Sequence, residues 1–233
     1  MMKIHFVGAG PGDKGLITLK GKELLEEADL VVYTGSLINP DVLEYSNGEK
    51  VNSFGMKLEE IIDLMVGAVM EGKKVVRLHS GDPSLYSAMY EQMLALKERG
   101  IDIEVVPGVS SLFASAAALK AELTLAGETV IITRPAGKTL EKDQIRELSR
   151  HRATLAIFLG VHRLREIVEA VEYPKDTPAA VVYKASWKDE TVIKGTLEDI
   201  EEKVRAAGIE RTAIIIIGDA LSPKEYRRSH LYG

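Results

Sequence analysis

The sequence predicts an α/β protein in two halves, each built on a mostly parallel sheet. Three observations carry this reading. Apolar, β-rich runs alternate with amphipathic stretches along the whole chain. The strand runs of the first half, such as Leu30 to Tyr33, are apolar without alternation, as expected of parallel strands covered on both faces. Near the midpoint, Leu123 to Glu128 carries Gly127 and reads as a linker between residues 1–122 and 123–233.

In order, the first half reads as strand Lys3–Val7, helix Thr18–Ala28, strand Leu30–Tyr33 and helix Leu58–Glu71, which Gly72 ends. Strand Lys74–His79 follows, and Pro83 sits where it can open helix Ser84–Arg99. Strand Ile103–Val106 leads to an Ala-rich helix, Ser110–Ala121, with Ser110 or Ser111 as its cap. The second half reads as strand Thr129–Thr133, helix Leu140–His151, strand Thr154–Leu159 and helix His162–Val171. Pro174 and Pro178 bracket a turn before strand Ala179–Lys184. Trp187-Lys188-Asp189 reads as a hairpin connection to an antiparallel strand Glu190–Thr196, and helix Leu197–Ala207 and strand Thr212–Gly218 close the chain.

Composition narrows the function. The chain has 233 residues, 45% of them hydrophobic, as in ordinary soluble globular proteins. Thirty basic against 35 acidic side chains leave a net charge of −5, which offers no global basic surface to nucleic acid. Cysteine is absent, so disulfides, thiolate metal sites and cysteine nucleophiles are excluded. No apolar run is long enough to span a bilayer, and no secretory pattern precedes the first strand, so the expected location is cytoplasmic.

Val7-Gly8-Ala9-Gly10-Pro11-Gly12-Asp13 crowds glycines at a strand-to-helix junction, as a dinucleotide-binding turn does. Two residues argue against phosphate. Pro11 removes a backbone N–H, and Asp13 stands where a third glycine belongs and would repel an anion. No acidic residue follows the second strand at Val32-Tyr33-Thr34 to hold a ribose. His79-Ser80-Gly81-Asp82-Pro83 and Val106-Pro107-Gly108-Val109-Ser110-Ser111 repeat the small-residue turn at two further strand ends. Asp82 reads either as an N-cap or as a ligand contact. Three such turns at carboxyl ends of strands in one half point to a ligand cleft.

Other signals fail. Gly67 to Lys74 resembles a phosphate loop but runs from helix to strand and lacks its final Ser or Thr. His5, His79, His151, His162 and His230 are scattered, so no metal site is expected. No Gly-x-Ser-x-Gly elbow occurs, and Glu26-Glu27, Glu59-Glu60 and Glu201-Glu202 read as solvated helix faces. Arg134 to Lys138 and Tyr226-Arg227-Arg228 are local basic clusters, and Arg134 with Lys138 is placed to clamp a carboxylate-rich substrate.

Taken together, the three turns, with Leu16-Ile17-Thr18 and Tyr86, resemble the signatures of the tetrapyrrole methyltransferases. Tyr33-Thr34-Gly35-Ser36-Leu37, Glu91-Gln92-Met93 and Val182 to Trp187 resemble the branch of corrin synthesis that methylates C11 of precorrin-4 or cobalt-precorrin-4. The resemblance spans nearly the whole chain. Lys14 replaces a proline usual in the family, and Leu125 to Thr129 is short. The resemblance implies two α/β domains holding S-adenosylmethionine (SAM) in a cleft between them, assembly as a homodimer, and a cobalamin-pathway tetrapyrrole as substrate. The implied cofactor contacts of the first half are Pro11, Ser80, Gly81, Asp82, Leu85, Tyr86, Ser110 and Ser111. Those of the second half are Leu159, Tyr183, Ala185, Thr212 and Ala213. Asp13, Ser36, His79 and Arg134 are the expected substrate contacts, and no residue is assigned as catalytic acid or base. Other branches of the family (C20 or C17 precorrin methylases, uroporphyrinogen methylases, diphthine synthase) and a non-catalytic nucleotide-binding module are the alternatives.

Overall fold

The structure, a computed structural model, describes residues 2–125 and 127–223. It falls into two compact units, Met1–Ser111 with Ser186–Lys188, and Leu112–Ala185 with Asp189–Gly233. Among the described residues no helix is long and apolar enough to cross a membrane.

The first unit contains β1 (Lys3–Gly8), α1 (Leu19–Glu26), β2 (Leu30–Tyr33), α2 (Pro40–Leu43), β3 (Glu49–Asn52), α3 (Leu58–Met70), β4 (Val75–His79), α4 (Met89–Glu98) and β5 (Asp102–Val106). The strands form one wholly parallel sheet in the order β3-β2-β4-β1-β5. The inner strands β2, β4 and β1 are covered on both faces, which is why they read as largely apolar runs, while the edge strands β3 and β5 carry charged residues. Ile4, Phe6 and Val75 pack with α3 and α4 residues such as Ile62, Met65 and Leu96. Val7, Val76 and Leu78 pack on the other face with Leu25, Val42 and Leu43. Strand β3 was not foreseen, because Glu49-Lys50-Val51-Asn52 is a polar edge strand with little apolar signal.

The second unit contains α5 (Ser111–Leu119), β6 (Val130–Thr133), α6 (Ile145–Ser149), β7 (Thr154–Ile157), α7 (Leu164–Ala170), β8 (Pro178–Tyr183), β9 (Thr191–Thr196), α8 (Ile200–Ala206) and β10 (Ala213–Ile217). Its sheet order is β6-β7-β10-β8-β9. Here the expectation of mostly parallel strands needs correction, since only β6 and β7 pair in parallel. Strand β10 inserts antiparallel between β7 and β8, and β8–β9 is the antiparallel pair expected from the hairpin residues. Strands β7, β8 and β10 are covered on both faces whatever their direction, so composition alone does not report it. Ile215 and Ile217 pack with α7 and α8, while Ile214 and Ile216 pack with Leu112, Ala116 and Leu119 of α5. The Ala-rich helix therefore belongs to the second unit, and the division falls at Ser111/Leu112 rather than after residue 122. Its small side chains let it lie close against β8 and β10.

Two helices are shorter than expected. Tyr86 and Ala88 both take left-handed backbone, φ 53°, so α4 starts at Met89 rather than Ser84. Asp143 accepts from Ile145 N at 3.1 Å and from Ala136 N at 2.7 Å, which starts α6 at Ile145 rather than Leu140.

Strands β4, β1 and β5 are adjacent, and their backbones converge beyond their carboxyl ends. A Cβ built on Gly108 would lie 2.2 Å from Gly81 O and 2.8 Å from Gly8 Cα. Neither atom can swing away, because both are backbone. Gly108→Ala is therefore expected to destabilise the protein by about 1–3 kcal/mol or more in denaturant unfolding. Gly67→Ala in α3, where nothing lies within 4 Å of the new Cβ, should instead add about 0.5–1 kcal/mol through helix propensity. A Gly108→Ala midpoint equal to wild type would contradict the close approach.

Candidate functional site

The three glycine turns singled out in the sequence meet at the centre of the first sheet. Ala9 N donates to His79 O at 2.7 Å, and Gly10 and Gly81 exchange backbone hydrogen bonds of 3.3 and 2.8 Å. The turns after β1 and β4 thus form a short antiparallel bridge. Asp82 adds the turn after β5: its Oδ2 accepts from Gly108 N and its Oδ1 from Ser84 N, both at 2.8 Å. Charge-assisted bonds of this length are the strong ones. Asp82 is therefore a staple between turns, not the cap of a helix beginning at Ser84, because α4 starts five residues later. Both oxygens keep a further lone pair.

Around the staple, Ser80 and Tyr86 are exposed, Gly81 and Leu85 half-buried, Ser110 buried and Ser111 half-buried. The turns at residues 8–13, 80–84 and 106–111 contain no Lys or Arg, while Asp13 and Asp82 are acidic. That donor set of hydroxyls, carbonyls and carboxylates suits a cationic, polar ligand and is wrong for phosphate.

The first turn is clamped from its outer side. Trp187 lays its indole against Gly12, where an added Cβ would fall 2.0 Å from the ring, and its Nε1 donates to Pro11 O at 2.9 Å. Asn39 Nδ2 donates to Gly12 O at 2.8 Å, and Asp13 N donates to Ser186 Oγ at 3.0 Å. Asp13 itself accepts from Gly15 N at 2.8 Å and lines a depression of about 480 Å³ with Asn39, Asp41, Glu44 and Trp187. From the sequence, Trp187 reads as a hairpin residue and as the end of the Val182 to Trp187 signature, with no role at the first turn. Its being the sole tryptophan was the available signal.

The remaining expected substrate contacts are placed differently. His79 is 6% exposed and stacked on Phe6 with ring centroids 5.4 Å apart. Burial, helped by the nearby Arg77 charge, pushes its pKa down to about 3, so it is neutral at physiological pH. Its Nε2 has no hydrogen-bond partner. Arg134 follows β6 and binds its own loop, NH1 to Thr139 Oγ1 at 3.0 Å and NH2 to Thr139 O at 3.2 Å. Those bonds hold the guanidinium against its own loop, where Lys138 is exposed. Ser36 lies in a 3-10 turn, Gly35–Leu37, its side chain outside the description, and His230 and Tyr226-Arg227-Arg228 lie outside the described residues. Among the described residues no three of His, Asp and Glu stand together as a metal site.

In the second unit, the antiparallel insertion of β10 gathers the expected cofactor contacts at one sheet edge. Ala213 pairs with Tyr183, Lys184 N donates to Thr212 O at 2.9 Å, and Leu159 lies two residues beyond Ile157, the partner of Ile215. Leu159, Lys184 and Thr212 all hold left-handed backbone, with φ of 54°, 45° and 55°. Such conformations cost roughly 1–3 kcal/mol each and cluster at ligand sites. Leu159 is 56% exposed, whereas Ala185 is buried and packs with the core. Tyr183 lines a depression of about 750 Å³ with His162, Thr191 and Arg211.

Comparison with known proteins gives the family. Residues 3–201 match the family model of the tetrapyrrole (corrin/porphyrin) methylases. A cobalt-precorrin-4 C(11)-methyltransferase of Methanocaldococcus jannaschii is 56% identical, over 99% of this chain and 92% of that protein. The crystal structure of a cobalt precorrin-4 methyltransferase, a cobalamin biosynthetic enzyme, superposes with a TM-score of 0.92 at 43% identity, covering 95% of this chain and 97% of that one. A uroporphyrin-III C-methyltransferase from Thermus thermophilus, in complex with S-adenosylhomocysteine, gives a TM-score of 0.79 at 32% identity over 94% of this chain and 98% of that one. The chain belongs to the tetrapyrrole (corrin/porphyrin) methylase family.

Proposed function

We propose that this chain is a SAM-dependent methyltransferase that methylates C11 of precorrin-4 or cobalt-precorrin-4 in cobalamin biosynthesis. The observation that carries it is the 56% identity with a C11-methyltransferase along 99% of the chain. The acidic and hydroxyl-rich turns of the first unit support SAM as cofactor, since they suit its cationic sulfonium and polar amino-acid and ribose groups.

In this reading Pro11, Ser80, Gly81, Asp82, Leu85, Tyr86, Ser110 and Ser111 hold the cofactor, with Leu159, Tyr183, Ala185, Thr212 and Ala213 of the second unit as further contacts. Bound SAM would supply a methyl group already activated on sulfur, and the electron-rich ring carbon needs no protein nucleophile. The chain's own residues therefore position two reactants in line, an effect worth roughly 7–11 kcal/mol in well-oriented systems. Asp82 holds the turns in register. Product release would leave S-adenosylhomocysteine. Asp13, Ser36, His79 and Arg134 remain proposed on the substrate side. The family resemblance also supports a homodimer located in the cytoplasm.

Incubation with methyl-labelled SAM and either form of precorrin-4 should place the label at C11 by NMR. Tight S-adenosylhomocysteine binding without transfer to C11 would move the chain to another branch of the family. Binding of NAD or ATP and not of S-adenosylhomocysteine would favour a nucleotide-binding module. Asp82→Ala should keep a cooperative unfolding transition yet weaken S-adenosylhomocysteine binding about tenfold or more, read through Trp187 fluorescence. Unchanged affinity in the folded variant would remove Asp82 from the cofactor site.

A further inference from the structure

Arg77 lies in the middle of β4 and is 3% exposed. Its guanidinium bonds only neutral oxygens: Nε to Gln92 Oε1 at 2.9 Å, NH1 to Ser53 Oγ at 3.0 Å and NH2 to Thr34 Oγ1 at 3.1 Å. No acidic side chain among the described residues bonds or pairs with it. Burial pulls its pKa down to about 10, so it stays cationic at neutral pH. Buried charges are ordinarily paired, because an unpaired one costs several kcal/mol. Glutamate at position 92 is the same size as glutamine and would place a carboxylate where Gln92 Oε1 now sits. The sequence instead keeps a neutral amide there.

The bonded oxygens lie just after β2, just after β3 and on α4, so the charge sits beneath the turns at the carboxyl edge of the sheet. The same turns carry apolar side chains in solvent: Leu37 is 47% and Phe54 77% exposed, with Phe54 lying against Gly35. An apolar rim over an unneutralised cation suits an apolar ring fringed with carboxylates. A charge in a poorly screened interior acts over longer distances than one at the surface.

We propose that Arg77 is a positioning residue for substrate, its charge left without a counterion so that it draws and orients the carboxylates of the tetrapyrrole at the turns after β2 and β3. This rests on the tetrapyrrole reading of the substrate but not on methylation at C11. The test uses the full chain and the octacarboxylate uroporphyrin III as probe, its binding followed by fluorescence at about 50 and 300 mM salt. Gln92→Glu supplies the missing counterion without removing the arginine. It should weaken porphyrin binding about tenfold while leaving S-adenosylhomocysteine affinity unchanged. Arg77→Met, which removes the charge, should show the same loss. The inference is overturned if folded Gln92→Glu or Arg77→Met binds the porphyrin as wild type does. It is equally overturned if wild type fails to bind the porphyrin. Should Gln92→Glu not fold, Arg77→Met decides: loss of porphyrin binding with S-adenosylhomocysteine affinity kept supports the role, and loss of both ligands would assign Arg77 to structure alone. Wild type that binds the porphyrin yet leaves C11 unmethylated would sink the proposed reaction and not this role.

Discussion

Both carboxylate oxygens of Asp82 are engaged by backbone amides, one from its own turn and one from Gly108 in the turn after β5. That staple, with the Gly10–Gly81 bridge beside it, ties the ends of β4, β1 and β5 into one piece. The approach is possible only because Gly8 and Gly108 carry no Cβ where the backbones pass. Ser80, Tyr86, Ser110 and Ser111 take their positions from this assembly, and Trp187 and Asn39 brace its outer flank through Pro11 and Gly12. A ligand arriving there finds donors and acceptors already fixed, which lowers the ordering cost of binding.

The chemistry of the turns follows from the same residues. Pro11 withholds an amide and instead offers its carbonyl to the indole of Trp187. Asp13 closes its own 3-10 turn through Gly15 N. These features disfavour a phosphate, so the glycine-rich loop serves close backbone packing rather than an anion nest. The second unit approaches a comparable end differently. There, non-glycine residues are held in left-handed backbone at one sheet edge, and the antiparallel placement of β10 brings them together.

Much of this was legible in the sequence. The unbroken apolar strands and the three small-residue turns located the first sheet and its business edge, because backbone crowding demands glycine wherever it occurs. Strand direction in the second sheet was not legible, since strands buried on both faces are apolar whether parallel or not. The start of α4 was hidden because Pro83 and Ser84 are good helix openers, while the left-handed Tyr86 and Ala88 that interrupt the path have no local sequence mark. The partners of Asp82, Trp187 and Arg77 were equally hidden, being set by contacts across the fold. The proposed cofactor and substrate come from the resemblance to tetrapyrrole methyltransferases, since neither periodicity nor composition carries them.

The three turns form one rigid assembly before any ligand arrives. Amide hydrogen exchange on the ligand-free protein tests it most directly, at the N–H groups of Ala9, Gly81 and Gly108. All three should exchange as slowly as the central amides of β1, because each donates to a fixed backbone or carboxylate oxygen. Exchange of the Gly108 amide at the rate of an open loop would contradict it.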